Sequence, residues 1–136
     1  MRLIRLIDRQ IPLPLAGVSN RRSLIFLDNL VDAILACLQE PKAAGRTYLV
    51  ADEESLSTPQ LIGHIAHALG RPARFFALPP ALLRLAGTLA GKKEETDRLL
   101  GTLVADASKI RQELAWRPRY SLSDGLKATI AWYREQ

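Results

Sequence analysis

The chain has 136 residues, of which 48% are hydrophobic, 24% charged and 6% aromatic. That is the length and balance of one globular domain, and it argues against intrinsic disorder, collagen and coiled coil. The net charge is +5; residues 1–68 hold seven basic and seven acidic side chains, so the whole excess lies in 69–136, which points to an anionic partner for the second half.

Residues 1–10 read as a short helix with Leu3, Ile4 and Ile7 on one face. The same stretch carries Asp8 and lacks an uninterrupted apolar segment, which argues against a signal peptide. Pro12 and Pro14 force an extended path through Gly17 to Asn20. Ser23–Leu27 is a plausible strand. Val31, Ile34, Leu35 and Leu38 then follow helical spacing, with Asp28 suited to the N-cap and Pro41 ending the helix. Arg46–Ala51 is a second strand candidate. Thr58 followed by Pro59 reads as N-cap and N1 of a helix that buries Leu61, Ile62, Ile65 and Leu69 and closes on Gly70. Arg74–Leu78 is a third strand candidate. Strand, helix and strand over 46–78 predict a parallel βαβ unit with a right-handed crossover. Pro80 opens a helix bearing Leu82, Leu83, Leu85 and Leu89, and Gly91–Glu95 reads as a polar break. Asp106 suits the cap of a helix through Leu114. Ser121 and Asp124 stand at capping-box spacing before a last helix with Leu122, Leu126, Ile130 and Tyr133 on its inner face. The expected fold is thus α/β, a small mixed domain of about six helices with a three-stranded sheet.

Several chemistries are absent from the sequence. Glycines stand at 17, 45, 63, 70, 87, 91, 101 and 125, so Gly-x-Gly does not occur and neither does the dinucleotide fingerprint built on it. No P-loop is present. None of Tyr48, Tyr120 and Tyr133 has a Lys four residues later. His64 and His67 share a helix face, but no Cys or acid joins them on that turn, and a zinc site needs about three protein ligands. There is no nucleophile elbow and no triad. The lone Cys37 forms no internal disulfide and reads as a small buried hydrophobe in a reducing, cytoplasmic setting. The basic residues Lys109, Arg111, Arg117 and Arg119 read as a solvated helix face and its exit. With so few aromatics there is no stacking platform, so nucleic acid is not the expected partner. No apolar stretch approaches the roughly 20 residues needed to span a bilayer, so no membrane association is expected.

Three segments together carry a resemblance. Arg22-Ser23-Leu24-Ile25-Phe26-Leu27-Asp28-Asn29-Leu30 is followed by a helix with Ala and Ile on one face. Tyr48-Leu49-Val50-Ala51 precedes Ser57-Thr58-Pro59-Gln60-Leu61. Asp106-Ala107-Ser108-Lys109-Ile110 precedes Glu113-Leu114-Ala115-Trp116-Arg117-Pro118, and Gly125-Leu126 and Trp132-Tyr133 follow. In order and spacing the chain resembles the extended short-chain dehydrogenase/reductases that act on nucleotide sugars, the UDP-glucose 4-epimerase type of NAD-dependent epimerase/dehydratase. Ala115 stands where that family usually has Gly, a residue favoured there for its tolerance of left-handed backbone.

The resemblance implies a division of labour. It covers the C-terminal substrate domain, so residues 1–136 are expected to be a nucleotide-sugar-binding domain without the NAD-binding Rossmann domain. NAD(P) would be bound by that absent domain, and no cofactor or catalytic residue is expected in this chain, which would not be active alone. Arg22 aligns with the family arginine on the pyrophosphate of a UDP-sugar, and Arg98 lies near a second one, with Arg21 as a fallback. Pro14, Leu15 and Asn20 lie in the loop that runs along the base and ribose. Leu103 stands where relatives limit the space around the sugar's 2-substituent. Asp28, Asn29, Asp106 and Trp116 read as structural. Removing a Rossmann partner would leave an apolar face and promote self-association. The competing readings are a stand-alone nucleotide-sugar-binding or interaction domain without catalysis, and a basic nucleic-acid-binding domain.

Overall fold

The structure, a computed structural model, describes residues 2–136. In chain order the elements are α1 (Arg2–Asp8), β1 (Arg22–Ser23), α2 (Leu27–Gln39), a 3₁₀ turn (Pro41–Ala43), β2 (Ser55–Leu56), α3 (Thr58–Leu69), α4 (Pro80–Leu89), α5 (Lys93–Leu100), α6 (Ser108–Leu114) and α7 (Leu122–Arg134). The fold is mixed α/β and mostly helical. Its sheet has two strands, β1 and β2, which pair antiparallel with Arg22 opposite Leu56 and Ser23 opposite Ser55.

Apolar side chains collect in two clusters. In the first, Ile4 and Ile7 of α1 and Leu13, Leu15 and Val18 of the following loop pack on Ile62, Ile65, Ala66 and Leu69 of α3 and Ile130 of α7. The second is smaller: Ala33 of α2, Ala107, Ile110 of α6 and Trp116, with Ile25, Tyr48 and Val50 partly buried against them. Burial of such side chains stabilises by roughly 1.5–3 kcal/mol each.

This division explains why the expected parallel βαβ unit over 46–78 is not formed. Tyr48 and Val50 pack into the second cluster. The 74–78 segment lies by the first, where Phe75 makes a parallel bridge to Leu13 and the backbone bonds run between Arg74–Phe76 and Leu13–Ala16. The two segments therefore have different neighbours. Alternating apolar residues announce an extended chain, not its partner. The three-stranded sheet of the sequence reading is replaced by the β1–β2 pair, and Ser23–Leu27 is a strand only at its first residue.

Local signals set most helix ends. Ser57, one residue before the expected Thr58, caps α3 in a reciprocal box with Gln60, and Gly70 closes that helix at φ 67°. Ser121 and Asp124 form the box of α7. Phe26 rather than Asp28 precedes α2, and Asp28 lies in its first turn. Asp106 stands two residues before α6, outside the cap position held by Ala107, and accepts from the Ser108 N–H at 2.8 Å. Helix α5 occupies the expected polar break and buries no residue. It pairs with α4 where Gly87 leaves room for Thr96.

The apolar face of helix α2 points outward. Val31, Ile34, Leu35 and Leu38 are exposed, Leu38 by 77%, while Asn29 and Ala33 are buried. Periodicity marked an apolar face correctly, but nothing among the described residues covers it.

Candidate functional site

The site is built around β1. On one side β1 pairs with β2; on the other the chain after α5 runs alongside it, with Leu103 bridged in parallel to Arg22. The Leu103 N–H donates to the Arg21 carbonyl at 2.8 Å, and the Ser23 N–H to the Leu103 carbonyl at 2.9 Å. The Ala105 N–H donates to Ser23 Oγ, and the Arg21 N–H to Thr102 Oγ1. Three segments distant in sequence are thus locked edge to edge.

The side chains of Asn20 and Arg22 hold the end of α5. Arg22 Nη1 donates to the Arg98 carbonyl at 2.6 Å. Asn20 Nδ2 donates to the Leu99 carbonyl at 2.9 Å and to that of Gly101 at 3.3 Å. The last carbonyls of a helix lack internal partners and carry its negative end, so cationic and amide donors suit them. Asn20 Oδ1 meanwhile accepts from the Thr58 N–H at 2.9 Å, at the start of α3. Arg22 keeps four of its five N–H donors after the bond to Arg98, and among the described residues no carboxylate lies within ion-pair distance of it. Arg98 is largely exposed and meets only Glu94 at 3.6 Å, an open pair worth little.

The structure therefore brings Asn20, Arg22 and Leu103 together with the backbone of Arg98, whose guanidinium turns to Glu94, and Leu103 is 66% exposed beside Arg22. Pro14 and Leu15 lie apart in the preceding turn; Leu15 is buried in the first cluster. Arg21 points its guanidinium at β2, donating to Ser55 Oγ from Nε at 3.0 Å and from Nη2 at 2.8 Å. Ser55 and Thr102, which shape this neighbourhood, had no local signal in the sequence.

Three of the four basic residues at 109–119 have other partners, and Arg111 keeps its Nε buried without one among the described residues. Lys109 donates to the Thr47 carbonyl and sits over the Tyr48 ring, Arg117 pairs with Glu53, and Arg119 with Asp32. The Tyr48 hydroxyl donates to Glu113 at 2.7 Å, and that bond pushes the phenol above its ordinary pKa. His64 and His67 are exposed on α3.

Behind the site lies a buried polar hub. Asn29, fully buried, donates to Asp52 Oδ1 at 2.7 Å and to the Tyr120 carbonyl at 2.9 Å, and its Oδ1 accepts from the Arg119 and Tyr120 N–H groups. Asp52 Oδ2 accepts from the Phe26 N–H. All four bonding positions of the amide are filled, the condition for tolerating a buried polar group. Trp116 donates its indole N–H to Asp32 nearby.

Two apolar clefts flank α2. One, of about 620 Å³, lies between Ala33, Ile34, Cys37 and Leu38 and the 40–50 segment. The other, of about 590 Å³, lies between 24–28 and the Leu122–Trp132 side of α7. Cys37 is half-buried in the wall of the first rather than fully enclosed.

No protein-family model matches the chain. It is 40% identical over 128 residues to a UDP-glucose 4-epimerase of Vibrio cholerae, a match covering 93% of this chain and 39% of the relative. Its backbone superposes on a nucleoside-diphosphate-sugar epimerase from Pseudomonas aeruginosa with TM-score 0.73 and 26% identity, over 98% of this chain and 41% of the other. The enzyme WbmF of Bordetella bronchiseptica, solved in complex with NAD+ and UDP, aligns with TM-score 0.65 and 25% identity over 98% of this chain and 36% of its own. In sequence and backbone the chain is similar to one part of nucleoside-diphosphate-sugar epimerases. It spans about two fifths of the length of these relatives.

Proposed function

We propose that this chain supplies the nucleotide-sugar-binding half of an NAD-dependent epimerase or dehydratase, with Arg22 and Arg98 as ligands for the pyrophosphate of a UDP-sugar. The observation that carries the proposal is the Arg22 guanidinium, bonded to the backbone carbonyl of Arg98 beside β1 and free of any carboxylate among the described residues, in a chain 40% identical to a UDP-glucose 4-epimerase over 128 residues. A diphosphate presents about two negative charges, and a planar guanidinium can give two parallel hydrogen bonds to its oxygens. Arg22 retains free donors, no carboxylate neutralises it, and its bond to the α5 carbonyl fixes its direction. Leu103, exposed next to it, would limit the space around the sugar ring, and the Pro14–Leu15 turn would follow the base.

The reading that NAD is held elsewhere is supported by the glycine pattern. The turns leading into α2 and α3 carry no glycine, and no Gly-x-Gly occurs in the sequence. In this reading NAD belongs to a nucleotide-binding domain, and the exposed face of α2 with its flanking clefts is the seat of that domain. The chain alone would bind and orient the substrate without turning it over.

Calorimetric titration of the isolated chain with UDP and UDP-glucose tests the proposal. Weak saturable binding is expected, and Arg22→Ala should weaken it at least tenfold. Absence of heat with UDP, or an unchanged affinity in Arg22→Ala, overturns the proposal. Steeply salt-dependent binding of duplex DNA instead would favour a nucleic-acid role.

A further inference from the structure

Asn20 is 4% exposed, which keeps its side chain from a ligand lying against the surface. Its amide joins two helix ends of opposite polarity. The carbonyl oxygen faces the N–H of Thr58, at the electropositive start of α3. The NH₂ faces the carbonyls of Leu99 and Gly101, at the electronegative end of α5 and just beyond it. An amide is the one small side chain that offers an acceptor at one end and two donors at the other. Its three partners lie 38, 79 and 81 residues away, so the group spans segments that share no local structure.

We propose that Asn20 is a positioning residue for the pair of arginines: by clamping the exit of α5 against the start of α3 it sets where Arg98 stands relative to Arg22, and where Leu103 falls along β1. This role rests on the nucleotide-sugar site argued above. The chain leaving α5 is held at Leu99 and Gly101 by Asn20 and at Arg98 by Arg22, before the ladder of Thr102, Leu103 and Ala105 begins. Loss of the amide donors frees the first two of these carbonyls and lets the strap shift along β1. A bidentate grip on a diphosphate tolerates little such shift.

Asn20→Asp separates the two halves of the clamp. It keeps an acceptor for Thr58 and turns a carboxylate toward two carbonyl oxygens. Asn20→Ala, which buries no charge, serves where the first variant does not fold. UDP affinity is expected to fall at least tenfold in either. In an Arg22→Ala background the same substitution should cost little more, because it acts through the arginine; a direct ligand contact or a general loss of stability would add in full. Hydrogen exchange should quicken at the Leu103 and Ala105 amides while the α3 amides of Ile65 and Ala66 stay protected. A wild-type chain that takes up no UDP overturns the nucleotide site and this role with it. Wild-type binding that Asn20→Asp and Asn20→Ala leave within twofold, or a loss that adds fully to that of Arg22→Ala, overturns the role of Asn20 alone.

Discussion

Ala115 closes α6 with left-handed backbone, at φ 52° and ψ 20°. An L-residue with a Cβ is disfavoured there, and Gly is not. The position is fixed on its far side by Trp116, which is buried and bonded to Asp32, so the strain is held by the fold around it. Ala115→Gly is therefore expected to raise stability by about 0.5–1 kcal/mol, less whatever the freer unfolded chain takes back. Urea unfolding measures it, and a lower midpoint would show that the turn does not limit stability. The residue was legible as a departure from the family pattern; its backbone conformation follows from the spacing between the end of α6 and Trp116. Asn29 was legible only as a structural residue near a helix start. Its bonds to Asp52, Arg119 and Tyr120 come from two other parts of the chain and leave no trace in the residues around it.

Helices α6 and α7 begin on carboxylates. The Ser121 hydroxyl and then its N–H hold the Asp124 carboxyl below the usual range, and the Ser108 N–H and then its side chain do the same for Asp106. A carboxyl whose pKa is depressed on folding adds stability above its unfolded pKa, near 3.8 here, and loses it as pH falls through the folded value. Both helix starts should thus loosen below pH 3.8, not between neutrality and pH 5. Carboxyl ¹³C titrations should give midpoints below 3.8 for Asp106 and Asp124; a midpoint at or above that value for either would refute its capping role. Caps and prolines made these helices readable, because their signals lie within four residues of the ends. Helix α5 was not readable: it is short and polar, and of its residues only Leu100 packs, partly buried, against the first cluster. Strand pairing was misread for a different reason. Tyr48–Val50 and Arg74–Phe76 each look extended, but the first packs against α2 and α6 and the second pairs with the backbone at Leu13, contacts that local sequence does not announce.

On the scale of the whole molecule, the outward face of α2 is the largest mismatch between sequence and surface. Leu27, Val31, Ile34, Leu35 and Leu38 stand in solvent, with Tyr48 and Val50 lining the cleft on one side and Trp132 the cleft on the other. Such a stripe drives association when no partner covers it. The isolated chain is expected to sediment as larger species as its concentration rises. Leu35→Lys with Leu38→Lys should return it to a monomer with little change in melting temperature, since both side chains are already exposed. A wild-type chain that remains monomeric throughout would count against a covered α2 face. The candidate site was half legible: Arg22 and Arg98 were nominated by resemblance, but the clamp that holds the end of α5 against them is made of contacts some 80 residues apart. The Asn29 hub has a related consequence for how the chain folds. Its bonds to Asp52 and Tyr120 close loops of 23 and 91 residues, and both must be shut before the amide is satisfied. The chain entropy lost in closing them is repaid only when the last bond forms. The hub therefore makes the middle of the chain and the approach to α7 interdependent: a partly assembled form with one loop open leaves a dehydrated amide, and the chain is driven to complete both closures in a single cooperative step.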